Sequence, residues 1–408
     1  MTDRLDRIDT ALARLQHEVR ARDGAVPAML PAVAYTSDEV LAWERRHFFA
    51  GGWTCLGRLA ELLPADLDAQ AATQRAVMVG DVAALLTREG STVRMFANTC
   101  RHRAHELLPD GGASERKAIT CPYHAWSYDL AGDLIAAPGY RGEPGFDPAE
   151  YSLVELPVET WSGWVFGHAL HRLGDPDVVP FADHLGSLDG LVAPYDVASL
   201  RLADRHSYEI AANWKIVAEN YHECYHCPLI HPELCQVTPP ASGTNYQLPG
   251  AWVGGSMVLR DGMATMSLTG ESNGNPLPGV SPTAVEYLHL LPNLLISAHP
   301  DYVMTHRLVP LSPNRTWVEC SWYLAPSADG SLPDPAYAVE FWDLTNRQDW
   351  AACESVQRGL ESPHFAPGPF GPSEDAVERL VGLVSRGYLG LPMHTDPQPA
   401  RGRPPGPA

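Results

Sequence analysis

What this sequence has little of narrows it first. Eight cysteines in 408 residues are too few for a disulfide scaffold. They are also unevenly placed. Cys100 and Cys121 stand beside histidines, Cys224 and Cys227 flank another histidine-rich stretch, and Cys55, Cys235, Cys320 and Cys353 are scattered. Grouping of Cys with His favours metal chemistry in a reducing compartment over bridging. Base is short against acid, 29 Lys and Arg against 49 Asp and Glu, for a formal net charge of −20. A polyanion would be repelled, so no nucleic-acid partner is expected. No apolar run approaches the ~20 residues of a membrane span. The opening MTDRLDRIDTALARLQHEV lacks both an apolar core and a cleavage site. These absences predict a cytoplasmic protein with no membrane partner.

What is present is ordinary in bulk, 45% apolar and 19% charged, with length enough for two domains that each bury a core. Leu5, Ile8, Leu12, Leu15 and Val19 recur at three- and four-residue intervals, which predicts an amphipathic helix over 4–19. That helix, within an N-terminal segment 1–39, is expected to pack on the body of the protein. From 40 to 170, short apolar runs such as AVMVG, AALLT and TVRMFAN alternate with Gly, Asp and Ser, a pattern of short antiparallel strands that closes on the strand-like WSGWVFGHAL. The Pro- and Asp-rich HRLGDPDVVPFA, 171–182, has no periodicity and marks a boundary. A second domain, 183–392, mixes types. Strands are expected around RHSYEIAANWKIV, LHLLPNLLISA, YVMTHRLVP and RTWVECSWYLA. A long helix follows, with Asp334 as cap, Pro335 at its first position and an end at Gly359. Residues 393–408 lack the apolar content to fold and are expected to form a disordered tail. No internal repeat is apparent.

Two constellations carry chemistry. In NTCRHRAHELLPDGGASERKAITCPYHAWSYD, two short loops each offer one Cys and one His, Cys100 with His102 and Cys121 with His124. Four such ligands suit tetrahedral zinc or an iron–sulfur cluster. Structural zinc usually takes both cysteines from one turn, whereas here each turn gives one of each. In a Rieske [2Fe–2S] centre two cysteines hold one iron and two histidines the other. Pro122, Tyr123 and Trp126 would stiffen and shield the second loop. The two loops resemble the Rieske domain of the ring-hydroxylating and related oxygenases. Ala104 stands where that family usually has Gly and would resist a positive φ, which predicts an altered turn. The interloop segment with Gly111 and Gly112 is slightly long.

The second constellation is NWKIVAENYHECYHCPLIHPELC. His226 and His231 are five apart and would diverge by roughly 140° on a straight helix. Pro228 can kink the helix and swing His231 back. A non-haem iron site needs a carboxylate as third ligand. Asp349 is the best candidate, with Glu354 and Asp343 on the same helix as rivals. Glu219 and His222 are either supporting groups or helix surface. Cys224-x-x-Cys227 has redox spacing, but His226 lies inside it, so both are read as packing residues.

The stretches ENYHECYHCPLIHPEL and QDWAACESVQRGL resemble the catalytic domain of the Rieske non-haem iron oxygenases, and the likeness spans about residues 35–390. It implies an α+β fold, an all-β Rieske domain with a helix-grip (START-like) catalytic domain. It implies one Rieske [2Fe–2S] cluster and one mononuclear Fe(II) per subunit, the iron held by His226, His231 and Asp349. It makes Glu223 the carboxylate that bridges to the neighbouring subunit's cluster in a head-to-tail homotrimer. It implies O2 as co-substrate and a separate reductase, carrying flavin and [2Fe–2S] and fed by NAD(P)H. ENYHECYHC, HPEL and LPNLLISAHPDYVMTHRLVPLSP look most like the glycine betaine, stachydrine and carnitine monooxygenase branch, hence N-demethylation of a quaternary ammonium. Tyr246, Trp252, Tyr287 and Tyr302 are candidates to face that cation. The alternatives are a Rieske hydroxylase of an aromatic or specialised metabolite, and a pure electron carrier. A carrier would need no second domain.

Overall fold

The computed structural model describes residues 10–22, 26–64 and 73–394. The expected tail, and Leu5 and Ile8 of the expected N-terminal helix, lie outside the described residues. The chain divides into two units, Ala42–Phe181 and the remainder, Met1–Leu41 with Ala182–Ala408. Among the described residues, no helix is long and apolar enough to cross a membrane.

The first unit is built of short antiparallel strands: β1 (Thr54–Arg58), β2 (Gln74–Val79), β3 (Val82–Glu89), β4 (Thr92–Ala97), β5 (Ala113–Ser114), β6 (Ala118–Thr120), β7 (Ser127–Asp129), β8 (Leu134–Ala136), β9 (Glu155–Leu156), β10 (Val158–Trp161) and β11 (Trp164–Gly167). They form sheets of order β1-β11-β10, β5-β2-β3-β4-β9 and β6-β7-β8. The run WSGWVFGHAL is a hairpin rather than one strand. Ser162 and Gly163 both take positive φ, 48° and 84°, and pair Trp161 with Trp164, the turn chemistry that matches strand twist. Leu85 and Phe96 from the five-stranded sheet meet Ile119, Trp126 and Tyr128 in a core that also takes in Cys100 and Cys121.

The second unit is a seven-stranded antiparallel sheet of order β12-β18-β17-β16-β15-β14-β13. Its strands are β12 (Arg201–Ile210), β13 (Thr244–Asn245), β14 (Trp252–Val258), β15 (Ala284–Leu290), β16 (Leu294–Ala298), β17 (Tyr302–Ser312) and β18 (Arg315–Leu324). Alternate residues of β17 and β18, Tyr302, Met304, Cys320, Trp322 and Leu324, face Ala338, Phe341 and Trp342 of the long helix Ala336–Leu360. A period of two thus meets a period of 3.6, which is how a sheet and a helix share one core. With the first unit mainly β, its helical pieces short, and helices gripped by the second unit's sheet, the class is α+β, as expected.

Four local expectations are corrected. NWKIV does not continue β12: Asn213 accepts the Lys215 N–H at 3.1 Å and starts the helix Trp214–Tyr221. Six of that helix's eight residues are buried, so its apolar run had no amphipathic signature to show. LHLLPNLLISA is the β15–β16 hairpin, turning at Leu291–Asn293. The long helix starts at Ala336, not Pro335; Asp334 accepts the Ala336 N–H at 3.1 Å, and the helix ends at Leu360. The N-terminal helix runs Ala11–Ala21, capped by Thr10 and by Glu39, whose carboxylate accepts the Ala11 N–H at 2.9 Å. It buries Leu15 and Val19, and Gln16 donates to the Tyr388 carbonyl at 2.9 Å.

Candidate metal centres

In the first unit the two Cys–His loops are built alike. Cys100 N–H donates to the His105 carbonyl and Cys121 N–H to the Trp126 carbonyl, each at 2.8 Å. Ala104 and Ala125 N–H return to the Cys100 and Cys121 carbonyls, each at 3.0 Å. Both alanines sit at φ 57°. Ala104 thus takes the positive φ it was expected to resist, a left-handed conformation without glycine, at a cost of about 1–2 kcal/mol. Cys100 and Cys121 are buried, His102 is half-buried and His124 exposed. The two imidazoles lie 4.6 Å apart, and Trp126 stacks on His102 at 4.9 Å and 11°. Tyr128 Oη lies 3.4 Å from Cys100 Sγ and accepts the Arg101 N–H at 3.0 Å, so a polar group stands beside the buried sulfur. Two thiols inside and two imidazoles outside suit a cluster with one thiolate-bound and one imidazole-bound iron.

In the second unit the expected kinked helix is instead broken. Trp214–Tyr221 stops, Glu223–His226 turns, and Pro228 lies in the first turn of a new short helix, Cys227–Ile230; His231 then precedes the helix Pro232–Val237. The proline thus initiates rather than bends, as its fixed φ favours. The outcome is convergence. His231 Nε2 lies 2.8 Å from Asp349 Oδ1, His226 Nε2 lies 3.3 Å from the same oxygen, and the two Nε2 atoms are 3.2 Å apart. Cis ligands each about 2.1 Å from one ion stand about 3 Å apart, so these three atoms can hold one metal and leave a face open.

The ring orientations are fixed from behind. His226 Nδ1 donates to Glu223 Oε1, whose partner oxygen accepts the Tyr225 and His226 N–H groups at 2.6 and 3.2 Å. His231 Nδ1 donates to Gln348 Oε1 at 2.7 Å, and Gln348 donates on to Glu233 at 3.2 Å. Holding Nδ1–H turns the Nε2 atom of both rings toward Asp349, where a cation could take the place of a proton. Burial disfavours charge on His226, but Asp349 and Glu223 outweigh it and raise the imidazole to about 9. Burial likewise works against the Asp349 carboxylate, yet His226 and His231 hold it below the ordinary range. A cation at these atoms competes with that proton.

The rivals are occupied elsewhere. Asp343 accepts from Tyr208 at 2.6 Å and from Arg347 at 2.7 Å, and Glu354 accepts the Ala211 N–H at 3.1 Å. Glu219 and His222 are interior, not surface. Tyr35 donates to Glu219 at 2.8 Å, and His222 meets His289 at 3.3 Å. Cys224 and Cys227 are not separate packing residues: they form a disulfide, with Cα atoms 4.9 Å apart, well inside bridging range. His226 within the loop does not prevent the closure, because the turn points its ring toward Asp349. Gln348 carried no sequence signal beyond standing next to Asp349.

A cavity of about 1000 Å³ opens on these atoms, walled by Tyr221, Tyr287, His306, Trp342 and Trp350. Tyr221 meets Tyr287 edge to face at 6.0 Å, and Tyr287 meets Trp342 at 6.4 Å. Of the four aromatic candidates only Tyr287 lines it. Trp252 and Tyr302 are buried and donate to the Pro249 and Met266 carbonyls at 2.9 Å, and Tyr246 donates to Glu286 at 2.9 Å. The missed Trp342 stands seven residues before Asp349, two turns back on one helix face, a spacing that could have been read.

Residues 53–153 match the Rieske [2Fe-2S] domain family, and 197–387 match the ring hydroxylating alpha subunit catalytic domain. The glycine betaine monooxygenase oxygenase subunit of Chromohalobacter salexigens is 30% identical over 84% of this chain and 81% of its own length. The carnitine monooxygenase oxygenase subunit of Escherichia coli K12 is 34% identical over 82% and 84%. Among solved structures, the quaternary ammonium Rieske monooxygenase CntA in complex with L-carnitine is 25% identical, with a TM-score of 0.68 over 89% of this chain and 96% of that one.

Proposed function

This chain belongs to the Rieske non-haem iron oxygenases, in their ring-hydroxylating alpha-subunit family, and from that premise we propose that it hydroxylates an N-methyl group of a quaternary ammonium, betaine-like substrate. The observation that carries the reading is the aromatic wall of Tyr221, Tyr287, Trp342 and Trp350 beside the three donor atoms, since a cation without N–H groups is held best by aromatic faces. The names of the similar glycine betaine and carnitine enzymes point to the same class. When bound, the cluster relays single electrons and the mononuclear iron uses them to activate dioxygen. The hydroxymethyl product leaves the nitrogen as formaldehyde, and a tertiary amine remains.

In this reading Cys100 and Cys121 hold one cluster iron, His102 and His124 the other, and His226, His231 and Asp349 the mononuclear iron. Glu223, already seated on His226 Nδ1, bridges to the neighbouring subunit's cluster in a head-to-tail homotrimer. Electrons come from a flavin and [2Fe–2S] reductase using NAD(P)H, and the enzyme works in the cytoplasm. The test is incubation with a surrogate reductase and NADH against glycine betaine, stachydrine, carnitine and aromatic acids. Formaldehyde is expected from at least one methylammonium compound; none from any of them, with turnover of an aromatic acid, would overturn demethylation. Iron analysis is expected to give about three irons per chain, against two for an electron carrier.

A further inference from the structure

The motif Cys224-Tyr-His-Cys227 has no part in that chemistry, yet it encloses one of the proposed iron ligands. Its sulfurs are bonded to each other, and Cys227 N–H donates to the Cys224 carbonyl at 3.3 Å. The other six cysteines form no disulfide. A structural disulfide gains most by closing a long loop of the unfolded chain, and this one spans a sequence separation of 3. Its scaffolding value is therefore small, and another role is indicated by where its atoms lie. Both cysteines line the cavity. Cys224 is half-buried beside the exposed Tyr225, whereas Cys227 is buried. Cys227 Sγ lies 3.9 Å from His226 Nε2, the atom that faces His231 and Asp349.

We propose that Cys224–Cys227 is a redox modification site, opened by dithiol reductants, that controls whether a sulfur donor stands at the mononuclear metal centre. The accessible sulfur is Cys224. A reductant thiolate attacks it, the Cys224–Cys227 bond breaks, and Cys227 leaves as a thiolate that takes up a proton or a cation. The reductant's second thiol then attacks the mixed disulfide and releases Cys224. Two electrons pass to the protein and the dithiol ends as its own disulfide; its two protons go to the two freed sulfurs, or one of them to solvent where Cys227 takes up a cation, so the exchange balances. Reduction does two things at once. It releases the covalent clasp around His226, and it leaves a soft thiolate next to His226, one of the residues that would hold a cation with His231 and Asp349, so that a small shift of the freed loop could bring sulfur to that cation. The second consequence rests on the reading of those three residues as a metal site; the exchange itself does not.

The experiment uses the full chain with its cluster intact and Zn2+ supplied to the second unit, so that zinc-edge X-ray absorption reads that site alone. Without reductant, Cys224 and Cys227 resist alkylation and zinc shows only nitrogen and oxygen neighbours. After dithiothreitol, mass spectrometry finds both alkylatable. Zinc gains one sulfur at about 2.3 Å and leaves to a chelator about tenfold more slowly. Cys224→Ser is expected to show the sulfur without reductant, and Cys227→Ser never. The proposal is overturned if both thiols are free before reduction, if dithiothreitol leaves them blocked, or if reduced protein shows no sulfur at zinc. Zinc that does not bind at all overturns the triad, and the sulfur coordination with it, while alkylation still decides the exchange.

Discussion

Glu223 and Glu219 stand four residues apart on one stretch of chain and do different work. Glu223 accepts from His226 Nδ1, so its oxygen both orients the ring and, in the proposed trimer, carries the electron path. Glu223→Gln keeps an acceptor for Nδ1 and removes the charge. It is expected to retain both metals by iron analysis while turnover falls at least about tenfold; normal turnover would remove Glu223 from the path. Burial raises Glu219 to about 7, against the pull of the Tyr35 hydroxyl and the Lys215 ammonium. Between its ordinary 4.5 and about 7, the folded chain holds a proton that the unfolded chain has released. Stability therefore falls as pH rises through that window and levels off above it, by on the order of 3 kcal/mol. Glu219→Gln cannot ionise, and urea midpoints between pH 4.5 and 7.5 are expected to lose that slope. The candidate ligands stood out in the sequence because thiol and imidazole are rare and stand at telling intervals. Gln348 and the Cys224–Cys227 bond did not, because their meaning lies in which atoms the fold sets beside them.

At the scale of elements, the two cluster loops repeat one another, down to an alanine at φ 57° in each. Only Ala104 drew notice in the sequence, by contrast with an expected glycine; Ala125 sits in the same conformation without any such cue. Glycine at either place relieves the left-handed strain, partly offset by the freer unfolded chain. Ala104→Gly and Ala125→Gly are each expected to raise stability by about 0.5–1 kcal/mol, read as an upward shift in the urea midpoint. A loss in either would mean the methyl group packs against something the turn needs. Strand alternation made most of the second unit's sheet readable, since Tyr302, Met304, Trp322 and Leu324 mark its inner face. The helix Trp214–Tyr221 was misread as strand because burial on nearly every side erases the 3.6 period. Its only cue was Asn213, a capping residue type that is equally common in turns.

For the whole molecule, the proposed trimer makes a prediction that no single subunit can fulfil. A Cys121→Ser subunit without a working cluster, coexpressed with an Asp349→Ala subunit without the iron carboxylate, is expected to recover demethylation in mixed trimers although each alone is inactive. Sedimentation is expected to give three times the 44.5 kDa chain mass. Mixed trimers as inactive as their parents would show that electrons do not cross between subunits. The division of the chain also bears on how it is made. Residues 42–181 interrupt a unit that begins before them and ends long after. On a ribosome adding roughly 5–20 residues per second, the interrupting unit emerges complete first. The opening segment, with Tyr35 awaiting Glu219 and Glu39 already beside its helix, must then wait on the order of tens of seconds for its partners. In that order both Cys–His loops are made before Asp349 is. Nascent chains arrested shortly after residue 181 has left the exit tunnel are expected to accept iron and sulfide.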